Sequence, residues 1–434
     1  MPDPSTTQQT VPAPFAAFIG IDWADQQHAI CLCPVGSDRV EHATLSHTPE
    51  ALAEWKAKLL ERFGGRPVAV ALEQRRGPLL HALMGSEWLV LYPIHSTTLE
   101  NYRGAFLPSG AKDDPGDAFW AADLLRHHHA QLRPWRPDDA ATRTLARLVE
   151  DRRQAVNLRT RLAQKLTAAL KEYYPQALEW AGPKLSAPLA WDFLERWPTL
   201  AAVQAAVPGT VREFYQQHPC RDGEAIEARC QQIAQGQALT ADAAVVEAGA
   251  MKTAMLVGQL RAMGPAIERY EERIAELFGS HVDAKLFASV PGAGPALAPR
   301  LLVAFGSDRD RFQKAAELQC FSGAAPVTVC SGQSRWVHWR WACPKFLRQS
   351  FVEFADQSLS RSEWAGAFYE QQREAGKSHQ AVLRAVAFKW IRILFRCWKD
   401  RQPYNEAVYL AALRRRGSPL MARIDARRIA SAAA

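Results

Sequence analysis

Apolar positions in the first hundred residues change rhythm at short intervals. "FAAFIGIDWA" (Phe15–Ala24) is a nearly continuous apolar run containing Asp22, the pattern of a buried strand. "HAICLCPV" and "RVEHATLSH" follow as two shorter strand-like runs with turn residues between them, which predicts an antiparallel meander. From Pro49 to Phe63 the period becomes helical, with Leu52, Trp55, Leu59 and Phe63 on one stripe. "RPVAVALEQ" is again a buried-strand pattern, ending at Glu73. "GPLLHALMG" reads as a short helix and "WLVLYPIH" as a strand ending near Pro93. An amphipathic helix then starts at "AKDDPGDAFWAADLL", with Asp114 as its expected N-cap and Pro115 at its first position. The order β-β-β-α-β-α-β-α predicts a mixed sheet covered by helices.

Beyond residue 138 the pattern is helical almost throughout. Leu158, Leu162, Leu166 and Leu170 recur at i, i+4, while Arg147, Arg152, Arg153, Arg159, Arg161 and Lys165 occupy the other faces. An amphipathic core helix and a coiled-coil or dimer arm that also touches nucleic acid both fit this spacing, which is not a strict heptad. A second long run, from Val245 to Gly279, is its candidate antiparallel partner. "LFASVPGAGPALAPRLLVAFG" is helix, turn, helix, and Gly292 and Gly294 allow a tight turn whose N–H groups can meet a phosphate. Trp336, Trp339 and Trp341 alternate, and core packing is the expectation for them over stacking on bases.

Composition adds limits. The 434 residues suffice for two or three domains, and 48% hydrophobic with 23% charged residues is ordinary for a globular protein. The start "MPDPSTTQQTVPAP" lacks a basic-then-apolar signal, and no apolar run reaches membrane-spanning length. A disordered leader and a cytoplasmic protein that does not engage membrane are therefore expected. The cysteines are scattered: Cys31 and Cys33 share a strand face without a second pair at zinc spacing, and are expected in the core. His127 to His129 suit a helix C-terminus. The net charge of +8 is uneven, and after Arg384 basic residues, including Arg414, Arg415 and Arg416, far outnumber acids. Such a one-sided run points to a polyanion, and so to nucleic acid.

The acids raise the chemical question. An aspartate in a buried strand is costly, and Asp22 needs a compensating partner. Glu73 ends the strand after the first helix, and Asp114 and Asp117 open a late helix at i, i+3. If the first and fourth strands are neighbours, the four converge at one edge, where their mutual repulsion calls for a divalent cation. A helix cap alone explains Asp114 and Asp117 but not Asp22.

The set "GIDWA", "ALEQRRG" and "AKDDPGDA" resembles the DEDD motif of the RuvC-like (ribonuclease-H-like) domain in a large family of insertion-sequence transposases, understood as bridge-RNA-guided serine recombinases. The family's last motif reads K-T-D-x-x-D-A. Here Lys112, Asp114, Asp117 and Ala118 match, with Asp113 in the threonine place, and Glu73 stands four residues before Gly77 where three is usual. Further on, the family's G-x-x-P, Ser-Gly and Leu-Arg elements match Gly323 and Pro326, Ser331 and Gly332, and Leu347 and Arg348. Ala342-Cys343-Pro344 stands where a glycine often sits.

The resemblance implies a fold that is α/β plus mainly α, with a RuvC-like mixed-sheet domain, a helical or coiled-coil insertion, and a helical C-terminal transposase domain with a helix-hairpin-helix-like segment. The implied division is a disordered leader 1–14, a DEDD domain 15–137, a helical region 138–275, a serine transposase domain 276–400 and a basic tail 401–434. Asp22, Glu73, Asp114 and Asp117 would bind Mg²⁺ or Mn²⁺. Ser331, with Ser334 as the alternative, would attack DNA to form a covalent phosphoserine. Lys112, Gly292, Gly294, Arg335, Arg340, Lys345, Arg348 and the three tail arginines would hold nucleic acid. The implied partners are target and donor DNA, a noncoding bridge RNA that supplies sequence by base pairing, and further copies of the chain: a dimer, and a tetramer in synapsis, acting at the nucleoid. A junction resolvase or nuclease using water, and an inactive nucleic-acid-binding protein, are the rival readings.

Overall fold

The computed structural model describes residues 14–73, 76–107, 113–218 and 222–433, with side chains to residue 429. Two compact units divide the chain, Met1–Pro137 and Asp138–Ala434.

In the first unit β1 (Ala17–Asp22), β2 (Gln27–Pro34) and β3 (Glu41–Ser46) form the antiparallel meander. Helix α1 (Pro49–Phe63) leads to β4 (Val68–Leu72), and α2 (Pro78–Leu83) to β5 (Leu89–Pro93). Both β1–β4 and β4–β5 are parallel, so the five-stranded mixed sheet has the order β3-β2-β1-β4-β5. Strand alternation divides the core. Ile19, Ile21, Val68, Val70 and Leu72 pack with Leu52, Leu59 and Phe63 of α1 and the leucines of α2 on one face. Phe18, Ala69, Ala71, Cys31 and Cys33 pack on the other against Ala118, Ala121, Ala122 and Leu125 of α4 (Asp114–His128), which follows α3 (Ser96–Phe106).

Two local expectations change here. Helix α3 was not legible, because "STTLENYRGAF" buries no residue of its own and so carries no clear apolar stripe. The cap of α4 is Asp113, whose Oδ1 accepts from the Gly116 N–H at 2.8 Å; Asp114 is the first helical residue. Capping therefore leaves the Asp114 carboxylate available.

In the second unit α5 (Ala140–Tyr173) and α11 (Ala243–Ser280) are the two long helices. Arg152 pairs with Glu271 near one end, and the Tyr173 and Thr253 hydroxyls are hydrogen-bonded at 3.0 Å near the other, so they run antiparallel. Between them lie α6 (Ala177–Trp180), α7 (Pro188–Arg196), α8 (Leu200–Gln204), α9 (Pro208–Gln217) and α10 (Gly223–Gln235). Leu162, Leu166 and Leu170 are buried in this part of the chain, against Trp191, Leu256 and Leu260 among others, while Leu158 is exposed. The stripe thus serves as an internal core.

A second core gathers α12 (Ala284–Ala288), α13 (Gly294–Phe305), α14 (Ala315–Phe321), α15 (Lys345–Ser358), α16 (Glu363–Glu374) and α17 (His379–Asp400) around Trp364, Trp390 and Trp398. The hairpin β6 (Val327–Ser331) and β7 (Ser334–His338) interrupts these helices. The last residues are folded: α18 (Glu406–Arg415) and α19 (Leu420–Ala433) bring Leu410, Leu420, Met421 and Ile424 into this core. Among the described residues no helix is long and apolar enough to cross a membrane.

Candidate active site

The acidic edge is built by a close helix approach. An added Cβ at Gly20 would lie 2.0 Å from Ala118 O and 2.5 Å from Ala122 N, so α4 rests directly on the β1 backbone. Phe18 meets His129, just past the end of α4, at 5.3 Å between ring centroids. Helix α4 therefore runs antiparallel to β1, and its N-terminal turn lies toward the Asp22 end. Ile21 pairs with Leu72, so Asp22 and Glu73 each stand one place beyond the last registered pair of β1 and β4. By alternation with Gly20 and Ala71 both fall on the α4 face. Asp22, Glu73, Asp114 and Asp117 thus occupy one edge and one face of one sheet.

Their surroundings differ. Asp114 and Glu73 are exposed, Asp22 is half-buried, and Asp117 is buried at 6% exposure. Asp117 forms an ion pair with Arg103 of α3. Tyr102, the preceding residue, donates its hydroxyl to Asp123 Oδ2 at 2.8 Å and fastens α3 to α4. Burial, followed by that carboxylate, pushes the Tyr102 hydroxyl up to about 12. Arg103 is the residue that sequence reasoning missed, since its helix went unread; Tyr102 and Phe106 at i, i+4 were the available signal.

Carboxylate oxygens are the donor type that Mg²⁺ or Mn²⁺ takes, so these residues fit a divalent cation in the chemistry of their donors. Among the described residues, however, no three His, Cys, Asp or Glu side chains are drawn into one metal-holding cluster. The Arg103 guanidinium neutralises Asp117 instead. Lys112 lies outside the described residues.

In the second unit Ser331 and Ser334 face each other across the two-residue turn of the β6–β7 hairpin, where Gly332 takes φ +55°. Both are exposed, and among the described residues neither hydroxyl is hydrogen-bonded. Arg335 pairs in register with Cys330 and so points to the opposite hairpin face from Ser331. Arg340 Nε donates to Ala325 O at 3.4 Å, Arg348 Nη1 donates to Arg340 O at 3.3 Å, and Lys345 is exposed at the start of α15. Gly323 makes room for them: an added Cβ would meet Cys343 Sγ at 2.4 Å and Arg348 Cδ at 3.4 Å. The unusual Cys343 and the G-x-x-P glycine are therefore packing partners. The packing expected of the tryptophans fails for two of them: Trp336 is 55% and Trp341 66% exposed.

The glycines of the α12–α13 turn separate in role. Gly292 (φ +83°) packs on the Gln357–Ser358 backbone, which a Cβ would strike at 2.6 Å. Gly294 (φ +54°) is exposed, with open space where a Cβ would be, so a phosphate has access only there. The basic end of the chain is less one-sided than its sequence suggests. Arg414 pairs with Asp425, Arg423 with Glu374, Arg427 with Glu370 and Arg428 with Glu363. Arg415 and Arg416 make no ion pair among the described residues.

Alanine at Arg415 and Arg416 is expected to reduce the log-affinity against log-salt slope for DNA by about 0.9 for each phosphate no longer neutralised. Alanine at Arg423 and Arg428 should leave the slope unchanged. Fluorescence anisotropy across a salt series measures both, and equal slopes in all variants would remove α18 from the DNA interface.

Residues 19–175 match a family model for DEDD transposases of the IS110 type, described as "Transposase", and residues 284–370 match "Transposase IS116/IS110/IS902 family". The chain is similar to the mini-circle putative transposase for IS117 of Streptomyces coelicolor, with 29% identity over 91% of this chain and 97% of the relative. It is similar also to the insertion element IS900 uncharacterized 42 kDa protein of Mycobacterium paratuberculosis, with 26% identity over 91% and 98% of the two chains. A shorter likeness, 28% identity over 29% of this chain and 40% of the other, relates it to the pilin gene-inverting protein of Moraxella bovis. The DEDD match suggests dependence on a divalent metal.

Proposed function

Because the chain belongs to the IS116/IS110/IS902 family of transposases and is a DNA transposase or recombinase, we propose that it cuts and rejoins DNA through a covalent phosphoserine on Ser331. The observation that carries this reading is the exposed serine at the tip of a hairpin in a strongly basic stretch. From Leu318 to Val352 the chain has no aspartate or glutamate, against Arg335, Arg340, Lys345 and Arg348. A hydroxyl so presented meets a DNA phosphate without electrostatic opposition.

The Ser331 Oγ forms a bond to phosphorus as the bond to a deoxyribose oxygen breaks, and that oxygen leaves as a hydroxyl after taking a proton. A second sugar hydroxyl reverses the step, joins the strands and restores the serine, so no hydrolysis intervenes. Arg340, Lys345 and Arg348 neutralise the phosphate oxygens during the exchange. Asp22, Glu73, Asp114 and Asp117 would hold Mg²⁺ or Mn²⁺, which supplies charge stabilisation and alignment of the phosphate. Gly294, Lys112, Arg415 and Arg416 serve the DNA and RNA backbones. By resemblance, a bridge RNA selects target and donor DNA and the chain works as a dimer or tetramer, in the cytoplasm at the nucleoid.

Denaturing gels of the full chain with its RNA and labelled DNA test the chemistry. Parent and Ser334→Ala proteins should give a protein–DNA adduct, and Ser331→Ala should bind DNA without one. Cleavage lacking any adduct would favour a nuclease that activates water, and binding alone an inactive DNA-binding protein.

A further inference from the structure

In the β6–β7 hairpin Ser331 pairs with Ser334, Val329 with Trp336 and Val327 with His338, so all six share one face. The rings on that face form a cluster. His338 lies 4.2 Å from Trp336 and 4.3 Å from Trp341 between centroids, stacked on the latter at 23°. Its Nδ1 donates to Trp339 O at 2.7 Å, which holds the imidazole in place. A core would bury such rings; here both indoles are mostly exposed.

Trp339 occupies a different environment. The Arg348 and Arg384 guanidiniums lie over its ring, at 4.2 and 4.7 Å from the centroid. Neither makes an ion pair with a carboxylate among the described residues, although Arg62, Arg261, Arg300 and Arg311 of the same chain all do. Burial, and then the neighbouring Arg348 charge, pulls the Arg384 pKa below its usual range. Two like charges assembled on one indole are most stable with an anion beside them.

We infer that the hairpin carries a grip for unpaired DNA: a base stacks on the Trp336–His338–Trp341 cluster while a backbone phosphate of the same strand engages Arg348 and Arg384. Aromatic rings beside a basic groove are the means by which proteins hold single strands without reading sequence. Charge selects the occupant, since the acid-free stretch from Leu318 to Val352 suits a polyanion. The shared face with Ser331 selects DNA, the substrate of a transposase. The grip rests on the reading that this hairpin meets DNA, and it adds Arg384, Trp336 and Trp341 to that reading.

The test needs no strand chemistry. Full-length Ser331→Ala protein is titrated with a labelled mixed-sequence DNA strand, the same strand with abasic sites, its duplex and the corresponding RNA, over a salt series. Trp336→Ala/Trp341→Ala should weaken binding of the DNA strand about 5- to 150-fold with an unchanged salt slope. Trp336→Tyr should retain most of the affinity, and the abasic strand should bind parent and double variant alike. Arg384→Ala should instead lower the slope by about 0.7, the value for one phosphate of a single strand. Equal losses on intact and abasic strands would overturn the stacking role. Losses confined to RNA would transfer the face to a guide RNA, and a changed oligomeric state with DNA binding intact would transfer it to a second copy. Adduct formation by the Ser331-containing parent is scored separately, so failure of the grip and failure of serine chemistry remain distinct.

Discussion

Asp22→Asn and Asp117→Asn proteins are expected to lose DNA cleavage by about a thousandfold, the several kcal/mol that a metal contributes to a phosphoryl transition state. Asparagine keeps the shape of each side chain and removes the charge that binds a cation. The two variants should differ in stability, and that difference reports the geometry. Asp22 is half-buried at a strand end where Asp117 is buried, so its variant should lose less stability than Asp117→Asn. Asp117 is buried against Arg103, and Asp117→Asn leaves that guanidinium without its carboxylate, at a cost of about 1–3 kcal/mol. Arg103→Gln should recover part of this loss in the double variant.

Alone, Arg103→Gln should lower the melting temperature in EDTA, because the buried Asp117 then loses its ion pair with Arg103. Added Mg²⁺ should raise its melting temperature by more than it raises the parent's, since the Arg103 guanidinium no longer competes for the carboxylate. Thermal melts with and without metal read this apart from catalysis. Cleavage within about tenfold of the parent by both aspartate variants would take the acids out of the chemistry, and equal Mg²⁺ shifts would remove Arg103 as a competitor.

The legible parts of this molecule are those whose partners are near in sequence or obey a simple period. The β1–β5 runs carry their own apolar pattern, while the β1–β4 neighbour relation, only a condition in the sequence, is supplied by the sheet order. That relation puts Asp22 and Glu73 just past the last registered pair of two adjacent parallel strands. What escaped depends on distant partners. Arg414, Arg423 and Arg428 read as part of a one-sided basic run, yet two of their partners, Glu374 and Glu363, lie 49 and 65 residues upstream. The Asp117 partner sits on α3, a helix with no buried stripe to announce it. The β6–β7 hairpin was hidden because Ser, Gly and Gln suggest a loop, although two-residue turns of this kind join paired strands. Its tryptophans were misread for a related reason. Aromatic residues are usually core, and only their exposed geometry distinguishes a platform from packing.

Gly20→Ala tests how the sheet sets the acidic edge. The added methyl would lie 2.0 Å from Ala118 O and 2.5 Å from Ala122 N, and both are backbone atoms that no rotamer change can move aside. Helix α4 must therefore retreat by roughly 1 Å or β1 must distort, an overpacking cost of about 3 kcal/mol. The first unit should melt roughly 10 °C lower. Because Asp114 and Asp117 travel with α4 while Asp22 stays on β1, cleavage well below the melting temperature should also fall, by about a hundredfold. Gly104→Ala is the matched control. Gly104 lies inside α3 with no atom within 4 Å of an added Cβ, so alanine there should stabilise by about 0.5–1 kcal/mol. If Gly20→Ala melted and cut DNA like the parent while Gly104→Ala behaved as stated, α4 could not rest on β1 at this distance. The placement of the α4 N-terminal turn toward the Asp22 end of β1 would then lose its physical basis.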